Sequence, residues 1–261
     1  MRDEPYRWIE AISDRRDYIE DQLRGGSPVV GISFDEGMLL LTVGRGQRKI
    51  FEVHDRIAFS AIGRAADIER LRLLVTDTAS VQGFQNSVDD VTLHRMTHFV
   101  LGPTITQAFD AIFGAAYIIK ILLVELGTLG RENQFISMNY DGNVRASPRA
   151  EVVGGTAAIE VAMQDYLSAA DSQNPSLASA LQLALETWAI GRNLSLQEEN
   201  FSEDDEEAES HVDKEQLHDV LKRELEEGQI EASVLDASHP SKRKFRQLSS
   251  EEIESAIADW L

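Results

Sequence analysis

Two histidines, His94 and His98, stand four residues apart, the spacing at which two imidazoles on one helix face can share a metal ion. The zinc-protease pattern requires a glutamate directly after the first histidine. Arg95 stands there instead, and no third ligand follows at a fixed spacing, so the pair reads as a surface feature and no metal site is assigned. Gly44-Arg45-Gly46 begins like a phosphate-binding loop but lacks the remaining glycine and the helix that must follow. No GxxxxGK[ST] segment occurs, so no nucleotide or other cofactor is expected. Cysteine is absent from all 261 residues, which removes thiol nucleophiles, disulfides, zinc knuckles and iron–sulfur clusters together. A net charge of −20, from 45 acidic and 25 basic side chains, opposes attraction to nucleic-acid phosphates or to an anionic membrane, and neither is expected as a partner.

Any chemistry must then be positioned by the elements that the hydropathy pattern defines. Residues 6–24 carry Trp8, Ile9, Ile12, Ile19 and Leu23 at mostly three- and four-residue steps, which predicts an amphipathic helix stopped by Gly25 and Gly26. Short apolar strands follow as VVGISF, GMLLLTV, KIFEVHD and IAFSAIG, separated by turn residues. Two helical stretches come next, Ala65 to Ser80 and Asp89 to Phe113, the second interrupted by Pro103. Strands return as YIIKILLVEL, QFISMNY, NVRASP and EVVGG, with Tyr140-Asp141-Gly142-Asn143 as a hairpin turn. Helices at Thr156 to Ala170 and Pro175 to Ile190, a strand pair QIEASVLD and KRKFRQLS, and a helix from Ser249 to Leu261 complete the chain. Strands and helices in separate blocks predict an α+β fold with two antiparallel sheets between helical layers, because a parallel sheet needs a helix after nearly every strand.

One domain, 1–261, is expected, with an acidic insertion at 198–228. Residues 198–227 hold fourteen acidic side chains against Lys214, Lys222 and Arg223, so −11 of the total charge sits there. Its first half, EENFSEDDEEAES, reads as a solvated loop. Its second half spaces Leu217, Val220, Leu221 and Leu225 on one helical face. A surface excrescence that can be replaced without harm to assembly is the first expectation, and docking to a basic partner surface the second. The longest apolar run, Ala115 to Gly127, is broken by Lys120 and Glu125 and is too short to span a bilayer. The N-terminal residues are charged throughout and lack the apolar core of a secretory signal, so a soluble, cytoplasmic protein is expected.

The leading helix, the strand GGSPVVGISF, the segment RKIFEVHDRIAFSAIG, the YDGN and VVGGT turns and the tail IEASVLDASHPSKRKFRQLSSEEIESAI, taken in this order and spacing, resemble α-type subunits of the proteasome core particle, of the bacterial, actinobacterial kind. The resemblance covers nearly the whole chain except 198–228. It implies the Ntn-hydrolase fold, a four-layer sandwich of two antiparallel sheets flanked by helices, which the block order reaches independently. That sandwich hosts both peptidases and inactive ring subunits, so the site has to decide between them.

An Ntn peptidase uses the first residue after self-cleavage as its nucleophile, with its own amino group as base. Ser27, after Gly26, stands where β-type subunits have that residue, which makes a self-processing peptidase the alternative reading. Pro28 follows it, however, and apolar Val43 takes the place of the β-type acid. The favoured reading is a non-catalytic subunit with no catalytic residues. It forms a seven-membered ring with copies of itself, stacks on Thr-dependent β-type subunits, and admits unfolded polypeptide delivered by a ring-shaped AAA ATPase activator. The resemblance implies an activator-binding pocket in which Lys49 receives a terminal carboxylate, with Gly26 as one wall and Gly63 and Arg64 as the other. Arg64 departs from the small or apolar residue commoner there. It further implies a gate of Met1, Arg2, Asp3, Glu4, Pro5 and Tyr6, with 1–5 forming a short stub that closes poorly or relies on Tyr6 and Trp8, and a leading helix packed between neighbours. A stand-alone acidic adaptor on the same fold would be a monomer without a β-type partner.

Overall fold

A computed structural model of the chain describes residues 4–111, 113–128, 130–170, 175–200 and 214–258. Met1, Arg2 and Asp3 of the expected gate, the centre of the acidic run and the last residues of the terminal helix lie outside them. Helix α1 (Glu4–Arg24) leads into strands β1 (Val29–Phe34), β2 (Gly37–Gly44), β3 (Ile50–His54) and β4 (Ile57–Gly63). Helix α2 (Ala65–Gln85), a short α3 (Leu93–Arg95) and α4 (Gly102–Asp110) follow, then β5 (Ile119–Glu125), β6 (Gln134–Met138), β7 (Val144–Ser147) and β8 (Ala150–Val153). Helices α5 (Ala157–Ala169), α6 (Leu177–Asn200) and α7 (Lys214–Leu225), strands β9 (Gln229–Asp236) and β10 (Phe245–Gln247), and α8 (Ser250–Ile257) complete the order.

The strands form two antiparallel five-stranded sheets, ordered β10-β9-β2-β1-β8 and β3-β4-β5-β6-β7. Strand alternation divides three apolar layers. Leu39, Leu41 and Val43 of β2 face α5 to α8, while Met38 and Leu40 face the other sheet. In β5, Leu122 and Val124 point between the sheets, and Ile119, Ile121 and Leu123 point toward α2 to α4. Helix–sheet–sheet–helix is therefore the layer order, and β2 is buried throughout because both its faces are covered, with Thr42 its one polar side chain. The proteasome-subunit sandwich expected from sequence is this architecture. No helix among the described residues is long and apolar enough to cross a membrane.

Several elements differ from the sequence pattern in extent or placement. Helix α1 begins at Glu4, so Glu4, Pro5 and Tyr6 belong to its first turn. Between Ser87 and Asp110 the chain forms several short helical pieces, with a π-helical turn over Met96–Leu101 just before Pro103, whose ring nitrogen cannot donate to the preceding turn. Helix α6 runs past Gly191 to Asn200. That glycine is a packing contact and not a stop, since a Cβ there would lie 2.5 Å from Met163 Sδ and 3.0 Å from Pro28 Cγ. The inserted helix α7 is not an excrescence: Leu217, Val220 and Leu221 are buried, two of them within the α5–α8 layer. Each such side chain contributes about 1.5–3 kcal/mol of burial.

Candidate functional site

One end of the sandwich is hollowed by a cavity of about 680 Å³. Its walls are the loop 25–27 after α1, the end of β2, the loop and start of β3 at 45–51, the end of β4, the first two turns of α2, and one residue each from α6 and α7. Antiparallel hairpins explain the convergence, because β2 and β4 finish at this end of the sandwich and β3 starts there. Gly26, Lys49 and Gly63 all line the cavity. Gly63 has φ +128° and a Cβ there would lie 2.1 Å from Ile118 O, so the close approach of β4 to β5 requires glycine. A Cβ on Gly26 would lie 2.9 Å from Leu23 O, the carbonyl that the Gly26 N–H bonds as the chain leaves α1.

Lys49 is mostly buried in this wall. Among the described residues its ammonium makes no hydrogen bond or ion pair. Burial holds its pKa below the ordinary 10.5; the nearby Arg192 pushes in the same direction, while Glu231 and Glu224 oppose. Its backbone, in contrast, is fixed. Glu231 of β9, 7% exposed, accepts the Lys49 N–H at 2.8 Å and the Ile50 N–H at 2.9 Å, clamping the start of β3 to the other sheet. A cation in a half-dry wall, rigidly based and lacking a counter-ion, can receive a carboxylate through a charge-assisted hydrogen bond. Phe51, Ile62 and Ile68 supply apolar surface beside it.

Arg64 takes a different course. Its Nε donates to Asp67 at 2.9 Å, Asp67 also accepts the Ile118 N–H at 3.0 Å, and the Arg64 side chain is not part of the cavity lining. Ser27 lines the cavity but is engaged: its hydroxyl donates to the Val43 carbonyl at 2.6 Å and accepts from buried Trp188 Nε1 at 3.2 Å. Val43, beside it, offers no acid or base. His94 and His98 lie side by side on an exposed surface with ring centroids 4.4 Å apart and planes tilted by 52°, and no cluster of three or more metal-ligating side chains occurs among the described residues. Helix α1 divides: Ile19 and Leu23 are buried in the inter-sheet core, whereas Ile9 and Tyr18 are exposed.

Sequence reading missed Arg45, Arg48, Arg192, Glu224 and Glu231. Arg192, Glu224 and Glu231 did carry a signal, since each is a charge set among buried apolar neighbours on its helix or strand. Glu224 lies seven residues after Leu217 and three after Leu221, on the same face of α7.

No protein-family model matches the chain. Curated proteins named proteasome subunit alpha do. The one from Streptomyces avermitilis is 25% identical over 246 residues, covering 94% of this chain and 85% of that protein. The one from Streptomyces scabiei is 24% identical over 250 residues, covering 95% and 89%. The one from Thermomonospora curvata is 28% identical over 191 residues, covering 71% and 80%. The resemblance to α-type subunits of the bacterial proteasome thus runs over most of the chain and coincides with the two-sheet fold, and together they support an α-type proteasome subunit.

Proposed function

We propose that this chain is a non-catalytic α-type subunit that forms a seven-membered ring in the cytoplasm, stacks on β-type subunits and controls the entry of unfolded polypeptide. The observation that carries the reading is the unpaired Lys49 ammonium in a cavity walled by Gly26 and Gly63. The terminal carboxylate of an activator, a ring-shaped AAA ATPase, docks there. The exposed Ile9 and Tyr18 of α1 face a neighbouring copy in the ring, and Met1 to Tyr6, of which Glu4 to Tyr6 open α1, form the gate.

Val43, apolar where a β-type subunit has its acid, and the Ser27 hydroxyl, engaged with the Val43 carbonyl and the Trp188 indole N–H, both support bond cleavage elsewhere. Native mass spectrometry, with the chain alone and with a β-type subunit from the same genome, tests both points. The expected result is a seven-fold multiple of a chain that retains residues 1–26, with peptidase activity only when a processed β chain joins. A chain that starts at Ser27 and cleaves peptides by itself overturns the proposal and favours the self-processing peptidase.

A further inference from the structure

The inserted helix α7 reaches the same cavity through a single side chain. Glu224 sits on the buried face of α7 with its side chain 11% exposed, and its Oε1 accepts from Arg192 Nε of α6 at 2.9 Å. Its Oε2 faces Arg45 NH2 at 3.5 Å, and Arg45 also pairs with the exposed Glu227 at 3.2 Å. Arg192, Arg45 and Glu224 all line the cavity that holds Lys49. A carboxylate in so dry a place is retained only with a partner, and here one carboxylate occupies two guanidinium groups at once.

We infer that Glu224 determines specificity at the Lys49 pocket, by engaging Arg192 and Arg45 so that the cavity accepts a single carboxylate, the chain terminus, and discriminates against an acidic residue next to it. The inference rests on the reading that the pocket takes a terminal carboxylate. Its physical basis is that a second carboxylate entering beside the first finds Arg192 held by Glu224 and Arg45 shared between Glu224 and Glu227, with Arg48 facing Glu231 at 3.9 Å, and meets the Glu224 carboxylate, whose like charge repels it. Because α7 belongs to the insertion, this discrimination is a property of the insertion, and it gives α7 a role besides packing.

The test measures binding of octapeptides with a free C-terminus to the full-length chain, with alanine or glutamate as the penultimate residue, and with an amide-capped control. Wild type is expected to favour alanine over glutamate by about tenfold, and Glu224→Gln, which keeps size and removes the repelling charge, to bring that ratio close to one. Undiminished binding of the alanine peptide shows that the variant is folded, and Glu227→Gln, outside the cavity, keeps the wild-type ratio. An unchanged ratio in Glu224→Gln, with binding still lost on amide capping or in Lys49→Ala, overturns this inference alone. Binding that ignores both the amide cap and Lys49→Ala overturns the docking reading beneath it, and this inference with it.

Discussion

Glu231→Gln exchanges one oxygen for an NH2 group at a buried position and tests whether β9 holds the Lys49 strand in place. In the wild type the two carboxylate oxygens accept the N–H groups of Lys49 and Ile50 at 2.8 and 2.9 Å. A glutamine keeps one acceptor and turns its NH2 toward the other N–H. One charge-assisted bond, about 1.5–3 kcal/mol, is lost, and the remaining bond becomes a neutral one of about 1 kcal/mol. The relief of desolvating one fewer charge offsets part of this, as does the distance of 3.9 Å to Arg48, which makes that ion pair weak. The net expectation is a loss of about 2–4 kcal/mol. Guanidinium unfolding at matched protein concentration measures it, since ring formation would shift apparent stability by mass action. The midpoint should fall with the slope unchanged, and affinity for a peptide carboxylate should weaken because the base of Lys49 is loosened. A stability loss under about 0.5 kcal/mol with full peptide affinity would refute the clamp.

Four further outcomes follow from the same geometry. Because burial lowers the Lys49 pKa from 10.5, the unfolded chain binds more protons between the two values, so the Lys49 contribution to stability rises with pH in that alkaline window. Carboxylate binding, which needs the proton, falls in the same window; parallel titrations of stability and peptide affinity should therefore have opposite slopes, both removed by Lys49→Met. Leu221→Ala, at a side chain with no exposure, should cost about 2–5 kcal/mol in chemical denaturation, and replacing 198–228 by a Gly-Ser linker should destabilise the subunit where an external loop would not. Gly63→Ala should lower the melting temperature and peptide affinity together, since its Cβ would lie 2.1 Å from Ile118 O at φ +128°; a variant as stable as wild type contradicts that close approach. Deleting Met1 to Pro5, which takes in the first two residues of α1, should leave the peptidase rate of the assembled particle essentially unchanged if these residues close the gate poorly, and a several-fold rise would count against that.

The sheets were legible because strand periodicity is local. GMLLLTVG, VVGISF and IKILLVE are short, nearly continuous apolar runs because both their faces are covered, and Asp141-Gly142 marks its hairpin within four residues. The family resemblance placed Gly26, Lys49 and Gly63 in one pocket, and the structure brings those three together in one cavity. Arg64 parted from them because Asp67, three residues on, is a nearer partner than anything across the cavity. What stayed hidden was what couples distant segments. Glu231 is 182 residues from Lys49, and only the pairing of β2 with β9 makes them neighbours. Helix α7 itself was legible from Leu217, Val220, Leu221 and Leu225 on one face; its docking was hidden by composition, since a charge of −11 over 198–227 suggests a solvated surface, although a stripe of three buried residues suffices to dock a twelve-residue helix.

Net charge and local charge govern different steps of recognition. A chain at −20 repels polyanions at long range, which is why nucleic acid and anionic membrane were set aside. At the cavity the balance reverses: Arg45, Arg48, Lys49 and Arg192 face Glu69 and Glu224. At physiological salt the screening length is about 8 Å, so a partner already seated feels these few side chains and not the acidic run. Approach and docking therefore place separate demands on a partner. Under the proposed docking at Lys49, a strongly acidic partner body slows encounter, while a tail that ends in a carboxylate is what the pocket holds. Raising ionic strength should thus change the association rate with an acidic partner body far more than the dissociation rate of the seated tail. A dissociation rate that climbs as steeply would mean that the tail is held at the surface and not in the half-dry wall around Lys49.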